Sequence, residues 1–402
     1  MITNTLTRLE DALEHILQHV PMLTDTEEVA LNHLSGRVIS ETVKAAINVP
    51  GYDNSAMDGF AVNTDYVKAV GTVLSISQII PAGKTGVKLE AGTAARIFTG
   101  APVPEGANAV ILQEDTEYDT AQVKILQVPK AGQNIRLCGH DIKQGDSIFQ
   151  QGHKLLPQDI GLLASLGIPK IKVYRPLKVA ILNTGDELIT PGQPLSPGQI
   201  YESNSYTLES LLNDLGMQTQ KLGIVKDDLS ATQDALLKAA KESDCIISSG
   251  GVSVGDVDFV KNAVENLGAL SLWKLAIKPG KPFSFGRVAE VPFFGLPGNP
   301  VAVFVTFLML VKPYLLKMQG AQNIDPLKYH LPAGFEVSEA GSRQEFIRVR
   351  LDRNLQALIP FSNQGSSVMT STSWADGLAI IPINTPVKKG DLLEFLPYSG
   401  LL

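Results

Sequence analysis

The chain has 402 residues, 34 Lys plus Arg against 41 Asp plus Glu, and a formal net charge of −7. That length exceeds what one hydrophobic core organises, so two to four domains are expected. The acidic balance argues against a nucleic-acid partner, which would call for a basic face. Cys138 and Cys245 lie far apart and in no metal-ligand spacing, so no disulfide framework is expected and the cytoplasm is the expected compartment.

From Thr5 to Val20, Leu6, Leu9, Leu13, Ile16, Leu17 and Val20 recur at helical spacing with acids between them. This predicts an amphipathic helix ended by Pro21, without the basic start and apolar run of a signal peptide. A second helix is predicted near Glu27–Leu34, with Gly36 as its stop. From Val49 to Gln150 short β-rich runs (Val73–Ile80, Ala95–Phe98, Ala109–Leu112, Val123–Val128) alternate with Gly/Pro turns and predict an all-β module. A short helix over Pro157–Leu166 is expected to rejoin the N-terminal helices.

From Lys178 strands and helices alternate. Strands are predicted over Lys178–Leu182, Gln218–Val225, Cys245–Ser248 and Leu272–Ile277, with helices over Ser203–Leu215, Ser230–Lys241 and Asp256–Leu267, Gly268 closing the last. Repeated βα units imply a parallel sheet covered by helices on both faces. The longest apolar run, Val301–Val311, is too short to span a bilayer, and Asn299 as N-cap with Pro300 at the first position predicts a buried helix. Strands return over Phe346–Leu351, Ala357–Phe361, Gly377–Ile383 and Leu392–Leu396, suggesting a small β barrel.

In an open parallel sheet the ligand sits outside the carboxyl ends of the strands. The residues just after those strands are Asn183-Thr-Gly-Asp186-Glu187, Lys226-Asp227-Asp228, Ser249-Gly250-Gly251-Val-Ser-Val-Gly-Asp256-Val-Asp258 and Lys278-Pro-Gly-Lys281. Glycine-bared N–H groups bind phosphate oxygens, gathered carboxylates hold Mg²⁺, and lysines neutralise the remaining anion. The blander reading makes Asp186, Asp227 and Asp256 simple helix caps. Lys274, in the apolar strand Leu-Trp-Lys-Leu-Ala-Ile, needs a partner or a job. Together these residues describe a handler of a phosphorylated or otherwise anionic small molecule.

Several motifs carry a resemblance to one family: Asn54-Ser-Ala-Met-Asp58-Gly, Phe98-Thr99-Gly-Ala-Pro-Val-Pro, Thr184-Gly-Asp-Glu187-Leu, Ser249-Gly-Gly-Val-Ser-Val-Gly-Asp, Lys278-Pro-Gly-Lys-Pro282, Gly295-Leu-Pro-Gly-Asn-Pro-Val and Gln364-Gly-Ser366. In order and over essentially the whole chain, they resemble the molybdopterin molybdenumtransferases, the MoeA family, which is also similar to the C-terminal domain of gephyrin. The resemblance implies an α/β multidomain fold: a helical linker subdomain (1–44 and 147–176), a β module (45–146), a parallel-sheet molybdopterin-binding domain (177–326) and a C-terminal β barrel (327–402). It implies an insertase that takes adenylylated molybdopterin and molybdate, uses Mg²⁺, transfers molybdenum to the dithiolene and releases AMP. A homodimer is implied, with its cleft shared between chains, and molybdopterin adenylyltransferase is implied as a transient partner.

Carried onto matching positions, Asp58, Glu187, Asp227 and Asp258 resemble the acids of anhydride cleavage, the last three as Mg²⁺ ligands. Lys274 and Lys278 resemble the pterin- and phosphate-facing lysines, and Thr99, Arg136 and Asp141 the β-module cleft residues. Ser249, Gly250, Gly251 and Pro282 fall in the substrate-binding loops, and Lys281, Arg348 and Ser366 resemble the oxyanion site. Two positions depart from the family pattern: His140 replaces an acid before Asp141, and Ala302 replaces a serine after Pro-Gly-Asn-Pro-Val. An adenylyltransferase and a gephyrin-like scaffold are the competing readings. Neither a membrane nor a nucleic-acid role is expected.

Overall fold

A computed structural model describes residues 6–251 and 259–401. Its centre is a six-stranded sheet in the order Gln218–Val225, Lys178–Thr184, Cys245–Ser249, Val291–Leu296, Pro282–Val288, Gly268–Lys274. The first four run parallel, and the last two join by antiparallel ladders, so only Pro282–Val288 is reversed. The expectation of a parallel sheet is thereby corrected to a mixed one. The carboxyl ends of five strands, and the start of the sixth, still share one rim.

The helix ends at Leu267, as expected, and Gly268 directly after it also opens the edge strand. A Cβ there would lie 2.1 Å from the Arg287 carbonyl oxygen, and one on Gly286 would lie 2.1 Å from that of Ala269. The two strands approach so closely that glycine is required on both. The predicted strand Leu272–Ile277 divides in two. Its first part ends the central sheet at Lys274, and Ile277–Lys278 crosses to a second sheet, pairing in parallel with Gln344–Glu345. This crossing puts Lys278 on the seam between the two sheets.

The second sheet follows the path Ile277–Lys278, Gln344–Asp352, Gly377–Ile381, Leu392–Pro397, Tyr329–Pro332, with Ala357–Pro360 paired to Gln344–Asp352. A bridge between Ala333 and Leu358 links the Tyr329–Pro332 end of that path to the side strand Ala357–Pro360. In the β module a six-stranded sheet runs Ala109–Leu112, Gly59–Val62, Thr93–Ile97, Val73–Ile80, Gln122–Ile125, Thr116–Tyr118.

Near the N-terminus, Leu9–Leu17 is helical and buries Ala12 and Ile16 in the main core, against the helix Pro300–Met318. Pro157–Ser165 rejoins the N-terminal segment, packing in a separate cluster with Leu34, Ile39, Val43 and Leu155 and against the turn Leu31–His33. The expected helix at Glu27–Leu34 is a strand, Thr26–Ala30, antiparallel to Lys170–Tyr174 and followed by a 3₁₀ turn over Leu31–His33. Its Glu, Ala and Leu residues favour a helix locally. The ladder to Lys170–Tyr174 overrides that preference, and the exposed Glu28–Lys170 ion pair adds little.

Pro300–Met318 is one continuous 19-residue helix with a π-helical segment over Phe307–Val311. It is long and apolar enough to cross a membrane by length and composition, but 89% of its most apolar window is buried inside the protein. It is a core helix, longer than the apolar run suggested.

Candidate functional site

A cleft of about 540 Å³ opens where the rim of the central sheet meets the second sheet. Its floor is glycine-rich: Gly250 and Gly251 follow the strand Cys245–Ser249 at φ +87° and +65°, and Gly298 lies beside them, a Cβ on it falling 3.9 Å from Gly250 Cα. At Gly251 a Cβ would lie 2.5 Å from Val260 Cγ2 and 2.8 Å from Thr184 Oγ1, so both the left-handed backbone and the close packing demand glycine. Lys278, Lys281 and Arg343 line the walls with Asn299, Ala302, Gln364 and Ser366. Among the described residues no carboxylate belongs to the lining. Lys278 Nζ donates to both oxygens of Glu345 at 3.1 Å, an ion pair whose lysine is half exposed and which therefore contributes little to stability. The described lining thus carries three cationic side chains, of which Lys278 is already paired with Glu345.

The turn carrying Ser366 is held by an arrangement the sequence did not announce. Arg348 is 1% exposed and lies outside the cleft lining. Its Nε donates to Ser371 Oγ at 2.9 Å and its two terminal nitrogens to the carbonyls of Phe346 and Gly365 at 3.2 and 3.1 Å. Gln364 accepts from the Arg348 N–H and donates to its carbonyl, both at 2.9 Å. On the other side, the Val301 N–H in the first turn of Pro300–Met318 donates to the Ser366 carbonyl at 3.0 Å. Arg348 therefore braces the turn from behind, and burial pulls its pKa down. The expectation that Arg348 faces an oxyanion is corrected: its donors are committed to backbone carbonyls and a serine. The guanidinium that does face the cleft is Arg343, whose Nη1 reaches the Ile277 carbonyl at 3.4 Å.

The opposite end of the rim is acidic. Asp186 and Glu187 follow Lys178–Thr184, and Asp227 follows Gln218–Val225. Partial burial raises the pKa of Asp227, and the charges of Asp186 and Glu187 raise it further. Gly185, at φ +147°, lets the Glu187 carboxylate fold back over the turn; a Cβ there would be 2.7 Å from Glu187 Oε2. Capping is done by a neighbour: Asp228 Oδ1 accepts from the Ala231 N–H at 2.8 Å, which leaves Asp227 uncommitted to the helix start. Among the described residues no group of three or more His, Cys, Asp or Glu is arranged to hold a metal. Asp256 and Asp258 lie outside the described residues.

Asp58 and Thr99 meet on the exposed edge of the β module. The Thr99 N–H and hydroxyl both donate to Asp58 Oδ1, at 2.8 and 2.9 Å. These bonds, the backbone one first, hold the Asp58 carboxyl below the usual carboxylate range. Arg136 and Asp141 are exposed on the same module, Arg136 in the short strand paired with Asn54–Ser55. None of these four lines the cleft.

Of the remaining predicted residues, Gly250, Gly251, Lys278, Lys281, Pro282 and Ser366 all line the cleft. Ser249 does not: it is 2% exposed, accepts from Asn204 and reaches the Pro297 carbonyl. Lys274 stands at the rim end of its strand, beside Pro282 in the ladder but outside the lining. Sequence reasoning missed Arg343, Gln364 and Asn299 as lining residues. Arg343 had a legible signal, an arginine five residues before Arg348 at the start of the same strand. Gln364 was quoted only as part of a motif.

Three family models match the chain: the MoeA N-terminal region (domains I and II) over residues 7–167, a probable molybdopterin-binding domain over 180–317, and the MoeA C-terminal region (domain IV) over 330–398. A molybdopterin molybdenumtransferase of Haemophilus influenzae is 41% identical over 98% of this chain and 99% of its own. One from Nostoc is 36% identical over 93% and 90%. The crystal structure of a molybdopterin biosynthesis MoeA protein from Pyrococcus horikoshii is similar at TM-score 0.85 and 29% identity, covering 98% of this chain and 100% of that one.

Proposed function

The chain belongs to the molybdopterin molybdenumtransferase family, and from that premise we propose that it is a molybdenum insertase of cofactor biosynthesis. Its substrates are molybdate and an adenylylated molybdopterin; the phosphoanhydride is cleaved, AMP leaves and molybdenum passes to the dithiolene. The observation that carries this reading is the cleft itself. Its cationic walls are built jointly by the central sheet and by Arg343 and Gln364–Ser366 of the second sheet. An adenylyltransferase acting through the α/β domain alone would not need the second wall, which makes it the weaker alternative.

Molybdate is a tetrahedral dianion, and guanidinium, ammonium and hydroxyl donors converging on one point suit it. Arg343, Lys281 and Ser366 offer those three kinds of donor, while Lys278 faces the phosphates once Glu345 is displaced. The Gly250 N–H is already donated to the Leu296 carbonyl at 3.2 Å, so the glycine turn would add the Gly251 N–H as a donor that needs no side-chain ordering. Ala302 replaces the hydroxyl of the family serine with a methyl, so the oxyanion relies more heavily on the charged groups.

The acidic end of the rim fits a divalent cation, because like charges already raise the Asp227 pKa and a cation would relieve them. Glu187 and Asp227 would hold Mg²⁺, with Asp258 as the further ligand of the motif, and the ion would offset the charge of the anhydride. Asp58, ionised through its bonds to Thr99, is assigned to a cleft completed by a second copy of the chain, which makes the working unit a homodimer.

Purified protein given adenylylated molybdopterin, molybdate and Mg²⁺ should release AMP and yield cofactor able to reconstitute an apo-molybdoenzyme, and chelation of Mg²⁺ should stop both. Release of pyrophosphate from ATP, with formation of adenylylated molybdopterin from the unmodified pterin, would instead identify an adenylyltransferase.

A further inference from the structure

Behind the cleft, one amide ties both of its glycine turns together. Asn204 opens the helix Asn204–Asp214 and donates through Nδ2 to Ser249 Oγ at 2.7 Å and to the Gly298 carbonyl at 2.8 Å, partners 45 and 94 residues away in sequence. Ser249 passes the connection on, its hydroxyl reaching the Pro297 carbonyl at 3.5 Å. The orientation of the amide is fixed, since turning it over would set Oδ1 against the Gly298 carbonyl, an acceptor facing an acceptor. Its base is firm as well: Glu202 accepts from the Ser205 N–H at 2.7 Å and from the Ser205 hydroxyl at 2.5 Å, anchoring the helix start.

Asn204 Oδ1 is buried without a hydrogen-bond partner among the described residues. An orphaned buried acceptor is unfavourable, and its retention in a native structure demands a reason. The two Nδ2 bonds supply one. Gly250 and Gly251 on one side and Gly298 on the other have no side chains with which to hold their spacing.

We propose that Asn204 is a positioning residue of the cleft, fixing the Ser249–Gly251 turn against the Pro297–Asn299 turn at the separation a bound oxyanion needs. It acts partly through Ser249, and neither side chain lines the cleft. The proposal rests on the reading of the cleft as the oxyanion site.

The test uses the full chain with Asn204→Ala, Ser249→Ala and the double variant, titrated calorimetrically with molybdate. Each single change should weaken molybdate binding roughly tenfold, in line with the loss of one well-made hydrogen bond. The double variant should be no weaker than the poorer single, because the two side chains act through one network. Additive losses, or a lower melting temperature with unchanged affinity, would overturn the proposal. Amide hydrogen exchange provides a readout independent of the ligand: Asn204→Ala should speed exchange at Gly250, Gly251 and Gly298 and leave the β module untouched. If the unaltered protein binds no molybdate, the oxyanion reading fails. The exchange result still decides the geometry: unchanged rates rule out positioning, and faster ones uphold it.

Discussion

The two ends of the central rim are built alike and behave in opposite ways. Each is a set of loops at one rim of the same sheet, the basic end including the start of the reversed strand Pro282–Val288. At the Lys178–Thr184 and Gln218–Val225 end, Asp186, Glu187 and Asp227 crowd like charges together and raise the pKa of Asp227. At the Gly268–Lys274 and Pro282–Val288 end, Lys278 and Lys281 face a glycine-floored cleft, and a second sheet adds Arg343 and Ser366. On the function proposed above, the acidic end would take a cation and the basic end an anion, as a pyrophosphate accompanied by a metal would require.

The sharpest way to break that contrast is to neutralise the acidic end. Glu187→Gln or Asp227→Asn should slow AMP release by roughly two orders of magnitude, about 3 kcal/mol of transition-state stabilisation. The fold should not suffer. A raised folded-state pKa means that Asp227 favours the fold below its unfolded pKa and loses that contribution as pH rises through the folded value. Asp227→Asn should therefore melt no lower than the parent at pH 7, and added Mg²⁺ should raise the melting temperature of the parent but not of the variant. Calorimetry and an AMP assay check both halves.

The next effect belongs to the basic end and is structural. Arg348→Met leaves the Phe346 and Gly365 carbonyls without their donor inside the protein, at a cost of about 3 kcal/mol. Chemical denaturation should show that loss, and molybdate binding should weaken only secondarily as the Ser366 turn loosens. Lys281→Ala, by contrast, should keep the melting temperature and weaken molybdate binding roughly tenfold, more so at low salt. Equal stability losses in the two variants would erase the distinction between a brace and a wall.

Smallest is the effect expected at the β module. Thr99→Val removes the hydroxyl bond while keeping the backbone one, so the Asp58 carboxyl should titrate closer to its ordinary range, as carbon-detected NMR would read. A depressed pKa contributes stability above the unfolded value that is lost as pH falls through the folded one. On a fully exposed carboxylate the change should be visible in the titration curve and not in the melting temperature.

Much of this was legible beforehand, for reasons that can be named. Strong periodicity located Val73–Ile80, Ala109–Leu112 and Gln218–Val225 to the residue, because each strand's pattern is bounded by turn formers. The cleft loops were legible because Gly250-Gly251 and Lys278-Pro-Gly-Lys281 combine residue types that a packed core does not require. Glu27–Leu34 misled because helix-favouring residues were recruited into a ladder whose other strand lies more than a hundred residues away. Arg348 misled for a related reason. An arginine in an apolar strand looks like a binding group, and nothing local reveals that Ser371 and the Gly365 carbonyl, 23 and 17 residues away, join the nearby Phe346 carbonyl around it.

What the sequence by itself determined, then, is the local chemistry: which loops carry acids, which carry lysines, where glycine frees the backbone, and the order of strand and helix. Tertiary structure alone decided which of those groups share a space. The crossing of Ile277–Lys278 into the second sheet, the choice of Arg343 over Arg348 for the cleft wall, and the Asn204 tie between two turns all depend on contacts between residues about 45 to 95 positions apart. Such contacts follow from how sheets stack and close, and no local propensity encodes them.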